Sequence, residues 1–183
     1  MKKQPEITEK TKQAFADAFC EIYSRKPIEK ISVQEIANKS GYNRSTFYQH
    51  FCDIYELLEY LENDVLDFMH QKLHNGTGDI QDVFALYEEK GVYLNALLGD
   101  YGSNRFLERL KASIPFDAHK LSLTADHPLT PYLMEFHLTT ILSMLRLWQR
   151  RQKDLTPKEL VNLMLSLYVG GVSAILSKHN QTA

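Results

Sequence analysis

The chain has 183 residues, enough to bury a sizeable core in one domain or two small ones. With 44% hydrophobic and 24% charged residues it has a globular make-up, which excludes a disordered or fibrous chain. Net charge is −2 and argues against a polyanionic partner until it is divided: residues 1–52 carry nine Lys/Arg against six Asp/Glu, or +3, and residues 53–183 carry twelve against seventeen, or −5. A basic front and an acidic back suit a protein whose N-terminal face meets phosphates.

Residues Met1 to Gln13 are polar and charged, and no later stretch reaches the ~18 uninterrupted apolar residues of a membrane span. The expected location is the cytoplasm, with no membrane partner. Cys20 and Cys52 lie far apart among apolar residues and are expected as buried thiols, not as a disulfide.

The predicted elements are helices nearly throughout. Ile7, Phe15, Ala18, Phe19, Ile22 and Tyr23 mark one face of a first helix that ends before Pro27. Ser32-Val33-Gln34-Glu35 is a capping-box start for a short second helix that Gly41 stops. Asn43 caps a third, a two-turn helix turning Phe47 and Phe51 inward. Asp53 and Glu56 start a long fourth helix with Leu57, Leu58, Leu61, Val65, Phe68 and Met69 at helical spacing, running to about Leu73. Helical blocks follow from Ile80 to Leu98 and, capped by Ser103, from Asn104 to Ile114. Pro115 to Pro131 reads as irregular. Thr130-Pro131 begins a long helix to about Arg151, and Thr156-Pro157-Lys158-Glu159 begins a last one to about Ser177. No strand alternation appears, so the predicted fold class is all-α.

Ser32 to Phe51 carries the functional signal. Two short helices meeting at a steep angle need a small residue at their approach, Ala37, and a turn residue that tolerates positive φ, Gly41. Ile36 and Phe47 supply the apolar contact between them. This is a helix-turn-helix pattern, although a pair of core helices joined by an ordinary glycine turn has the same outline. The outward residues sharpen it: Asn43, Arg44, Ser45, Thr46, Tyr48, Gln49 and His50 all form hydrogen bonds, where a plain solvated face more often carries Glu and Lys. In a major groove, Arg44 can pair bidentately with guanine, Asn43 or Gln49 with adenine, and Thr46 can meet a thymine methyl; Tyr48 and His50 suit phosphate oxygens.

The run Ile31-Ser32-Val33-Gln34-Glu35-Ile36-Ala37, then Ser40 to Phe51, then Leu57-Leu58, resembles the N-terminal domain of the tetracycline-repressor (TetR) family over about residues 8 to 60. The most specific element is Thr46-Phe47-Tyr48-Gln49-His50-Phe51. The resemblance implies a three-helix DNA-binding domain at residues 1–52 and a helical domain for dimerisation and effector binding at residues 53–183. It implies a transcription regulator, a repressor that binds palindromic operator DNA as a homodimer, and no enzyme. Carried over by position, it puts Thr46, Tyr48 and His50 on phosphates or adjacent bases, Arg44 and Ser45 on base edges, and Ser32 and Gln34 at the groove's edge. Two departures stand out. Ile54 occupies the place of a phosphate-binding Lys, implying a salt dependence shallower by about one ion, and Tyr42 replaces a small aliphatic residue in the turn, where it alters the seat on DNA. Tyr93 to Gly99, Phe106-Leu107 and Leu145 to Trp148 are similar to a branch that includes regulators of dihydroxyacetone kinase genes, which brings in a second possibility, an activator controlled by a protein partner.

Other constellations carry less. Asp67, His70 and His74 share a helix face, but no second acid-x-x-His pair completes a dinuclear site, so a helical metal enzyme is the distant alternative. Phe84, Tyr87, Tyr93, Tyr101, Phe106, Phe116, Tyr132, Phe136 and Trp148 either fill the core or line a ligand cavity; no cofactor is expected, and a small-molecule effector stays open. In the last two helices Leu138, Ile141, Leu142, Leu145, Leu163, Leu167, Val169, Val172 and Ile175 exceed one apolar stripe. Gly170-Gly171 permits close approach by another helix. These helices, about 131–151 and 157–177, are the expected homodimer interface.

Overall fold

The computed structural model describes residues 5–75, 80–113 and 127–179, and every regular element among them is helical. In chain order these are α1 (Pro5–Tyr23), a 3-10 turn (Ile28–Lys30), α2 (Val33–Ser40), α3 (Arg44–Phe47), α4 (Ile54–Asn75), α5 (Ile80–Leu97), α6 (Asn104–Ser113), α7 (Thr130–Arg150) and α8 (Pro157–His179). The all-α expectation therefore holds, with most boundaries within a residue or two. Residues 115–126 of the segment read as irregular lie outside the described residues. No described helix is long and apolar enough to cross a membrane.

The chain divides into two compact units, Met1–Thr77 with Ala85–Ser113, and Gly78–Phe84 with Ile114–Ala183. In the first, α1 packs on α2 and α4, α2 on α3, and α4 on α6. Its core is Phe15, Phe19, Ile36, Phe47, Leu57, Leu61, Met69, Leu94, Phe106 and Leu110, each almost wholly removed from water. Polar ties span its helices. The Tyr93 hydroxyl donates to Asp17 at 2.8 Å, that of Tyr23 to the Tyr101 carbonyl at 2.6 Å, and Lys90 pairs with Asp64 at 2.6 Å. Glu62, almost fully buried, is matched by Arg109 at 2.7 Å, so its charge does not stand alone in an apolar setting.

The second unit holds α7 and α8, which pack together. Leu133, Leu138, Ile141, Leu142, Leu145 and Trp148 of α7 and Leu160, Val161 and Met164 of α8 are buried. The corner between them is tight. Gln152 and Lys153 adopt left-handed φ values of 59° and 56°, and the Lys153 amide reaches back to the Trp148 carbonyl at 2.9 Å, in the manner of a Schellman closure. The Trp148 indole N–H donates to the Leu155 carbonyl at 2.8 Å. Thr156 and Glu159 then form the expected reciprocal cap, each accepting the other's amide.

Two expectations divide. Cys20 is buried, and burial pushes its thiol pKa up; Cys52, expected buried, is exposed. It sits between the last turn of α3 and the start of α4, where its backbone N–H donates to Glu56 and a side-chain hydrogen bond to the same carboxylate raises its thiol pKa. Of the aromatics, Tyr87, Tyr93, Phe106 and Trp148 fill the core, while Tyr101, Tyr132 and Phe136 are exposed. The side chains of Phe84 and Phe116 lie outside the described residues.

Candidate nucleic-acid interface

The scaffold of the site is local chemistry. The Ser32 hydroxyl accepts from the Glu35 amide at 3.3 Å while the Glu35 carboxylate accepts from the Ser32 amide at 2.9 Å, so α2 opens on a complete capping box. Glu35 is held below its ordinary pKa of 4.5, first by Lys26 at 2.5 Å and then by Ser32. At the other end Gly41 takes φ 76°, and the amides of Gly41 and Tyr42 both turn back to the Ala37 carbonyl. Only a residue at ease in the left-handed region closes this turn without strain.

Asn43 then caps α3. Its side-chain oxygen accepts from the Thr46 amide at 2.8 Å, the Thr46 hydroxyl at 3.0 Å and the Ser45 hydroxyl at 2.6 Å. Bidentate pairing with adenine would draw on that same oxygen. The α-helical part of α3 is four residues, shorter than the two turns expected. Beyond Phe47 the backbone tightens: the amides of Gln49 and His50 bond three residues back, to Thr46 and Phe47.

α1 contributes a ring to the core of this segment. The Phe15 ring, fully buried, lies 5.3 Å from Phe47, 5.4 Å from Tyr42, and 6.5 Å from His50 and from Phe51. Phe51 continues to Tyr60 on α4 at 5.5 Å. Phe51 is buried in the same cluster. Tyr42 thus has one face on Phe15 and remains 40% exposed.

The predicted site residues on and beside α2 and α3 are open to solvent to different degrees. Ser32, Gln34, Tyr42, Asn43, Arg44, Ser45, Tyr48 and Gln49 are exposed; Thr46 and His50 are half-buried. Arg44 lies over the Tyr48 ring at 5.8 Å and donates to its hydroxyl at 3.3 Å. Gln34 donates to Asn38, exposed one turn along α2, at 2.7 Å. Nearby basic groups are engaged within the chain: Lys26 with Glu35, and Lys39 and Arg25 with Glu21. Among the described residues no group of His, Cys, Asp and Glu is gathered as a metal site. Asp67 and His70 are exposed, and the His74 side chain lies outside the described residues.

A capped α2, a left-handed glycine turn and a capped α3 with an exposed hydrogen-bonding face define a helix-turn-helix of the DNA-binding class. Residues 16–61 match the family described as bacterial regulatory proteins, tetR family. Among solved structures, the chain is similar to a TetR transcriptional regulator from Streptococcus agalactiae 2603V (24% identity over 91% of this chain and 96% of that one, TM-score 0.62). It is also similar to a tetR-family transcriptional regulator from Streptomyces coelicolor (16%, 93% and 86%, TM-score 0.63). A third likeness is to the dihydroxyacetone kinase operon activator DhaS (19%, 90% and 97%, TM-score 0.53). No curated protein matches. The N-terminal segment matches the tetR-family model, and the whole chain shares the fold of those solved structures.

Proposed function

We propose that the protein is a cytoplasmic transcription regulator that binds palindromic operator DNA as a homodimer, acts as a repressor, and releases DNA when an effector occupies the part of the chain from residue 53 onward. The observation that carries this reading is the exposed hydrogen-bonding face at residues 44–50, held outward by the Asn43 cap and the Phe15 ring cluster. Residues 1–52 act as the DNA-binding domain. Arg44, Ser45 and Gln49 read base edges; Thr46, Tyr48 and His50 hold phosphates; Ser32, Gln34 and Tyr42 border the groove. The fold itself is a binding scaffold without a catalytic role.

Homodimerisation through α7 and α8 is supported by apolar surface on a single chain. Leu163, and Leu167 one turn on, are 43% and 57% exposed, and a side chain added at Gly170 or Gly171 would meet nothing within 4 Å. Covering that strip by a symmetry mate removes apolar area from water and brings two recognition segments to one duplex, about 34–36 Å apart for half-sites one turn apart. A second reading, an activator controlled by a protein partner, draws on the activator among the similar structures.

Selection of bound duplexes from a random pool, with sedimentation of the free protein, tests the proposal. A palindromic consensus bound by a dimer is expected. A monomer at micromolar concentration, or no enriched sequence, would sink it. Transcription from the selected site with and without the protein separates repression from activation.

A further inference from the structure

Arg44 and Tyr48 are one turn apart on the outer face of α3 and its closing turn, and they are in contact. The guanidinium carbon stands 5.8 Å from the Tyr48 ring centre, and Nη2 donates to the Tyr48 hydroxyl at 3.3 Å. The ring itself is anchored from below by an edge contact to buried Phe47 at 5.6 Å, so the platform is fixed to the core and not to another surface side chain. An arginine on an open helix surface samples many rotamers, and bidentate pairing with guanine O6 and N7 requires one narrow set of them. We propose that Tyr48 is a positioning residue for base reading: its ring holds the Arg44 guanidinium extended along the helix face, so the two side chains read one guanine as a unit.

This inference rests on the DNA-reading function proposed above, and adds that Tyr48 acts on sequence preference through Arg44 as well as on phosphate. The two roles are compatible in one group. A hydroxyl accepting from Arg44 retains its own proton to donate to a phosphate oxygen. They are also separable. The ring serves the arginine, and the hydroxyl proton serves the phosphate, so Tyr48→Phe removes the second while keeping most of the first.

The test measures affinity by fluorescence anisotropy for the selected duplex and for a duplex altered only at the guanine whose preference Arg44→Ala abolishes. Tyr48→Phe is expected to weaken both duplexes by the same factor and keep the preference. Tyr48→Leu is expected to weaken both and also to cut the preference by about two- to five-fold, the size of an exposed cation–π contact. In the Arg44→Ala background Tyr48→Leu should change preference no further. Undiminished preference in Tyr48→Leu, with circular dichroism unchanged, overturns the coupling and leaves the DNA-reading function standing. If the wild-type protein discriminates between no duplexes, the DNA-reading function falls and this inference with it.

Discussion

Gly41→Ala isolates a backbone effect. The glycine sits at φ 76°, and a Cβ built on it meets nothing within 4 Å, so the substitution introduces no clash. What remains is the cost of holding an L-residue in the left-handed region, about 1–2 kcal/mol. Alanine also narrows the unfolded ensemble, which returns about 0.4–1 kcal/mol. The expected net loss is on the order of 1 kcal/mol, a fall in Tm of about 2–4 °C for a chain of this size. Gly41→Asn should lose less, because Asn visits this region more readily. Far-ultraviolet circular dichroism during thermal and urea denaturation reads all three. The reasoning fails if alanine is as stable as glycine, or if asparagine is worse than alanine.

Other expectations follow from the same geometry. Glu35→Gln should destabilise the protein at neutral pH. Glu35 is held below its ordinary 4.5 by Lys26 and then Ser32, so the contribution of its charge is present above that value and disappears as pH falls through the lower folded pKa; urea midpoints of the two proteins should converge in acid. Ile54→Lys, at the half-buried first residue of α4, should restore a phosphate contact and steepen the salt dependence of DNA binding by about one ion, read from log K against log salt. Leu167→Glu should give a folded monomer in sedimentation and weaken operator binding, since one recognition segment then acts alone. A dimer that survives this change unweakened places the interface elsewhere.

Features closed within four residues were legible in the sequence. The Ser32–Glu35 and Thr156–Glu159 boxes, the Asn43 cap and the Gly41 turn each need only their own neighbours, and each stands where the spacing put it. The length of α3 was not legible, because the change to bonds three residues back after Phe47 has no counterpart in the spacing of the side chains. Side-chain type likewise left Asn43 two roles, and the three bonds at its oxygen show it in the capping one. Exposure at Cys52, Tyr132 and Phe136 escaped for a related reason: local apolarity cannot tell a core position from a surface one.

The corner between α7 and α8 also gives the protein a built-in optical reporter. Trp148 is the only tryptophan in the chain, is 3% exposed, and has Lys153 over its ring at 5.4 Å and its indole N–H on the Leu155 carbonyl. Its emission therefore speaks for the second compact unit alone, and a red shift marks the opening of that corner to water. Followed beside circular dichroism, which sums over both units, the intrinsic fluorescence of the unlabelled protein separates loss of the α7–α8 corner from melting of the helix-turn-helix.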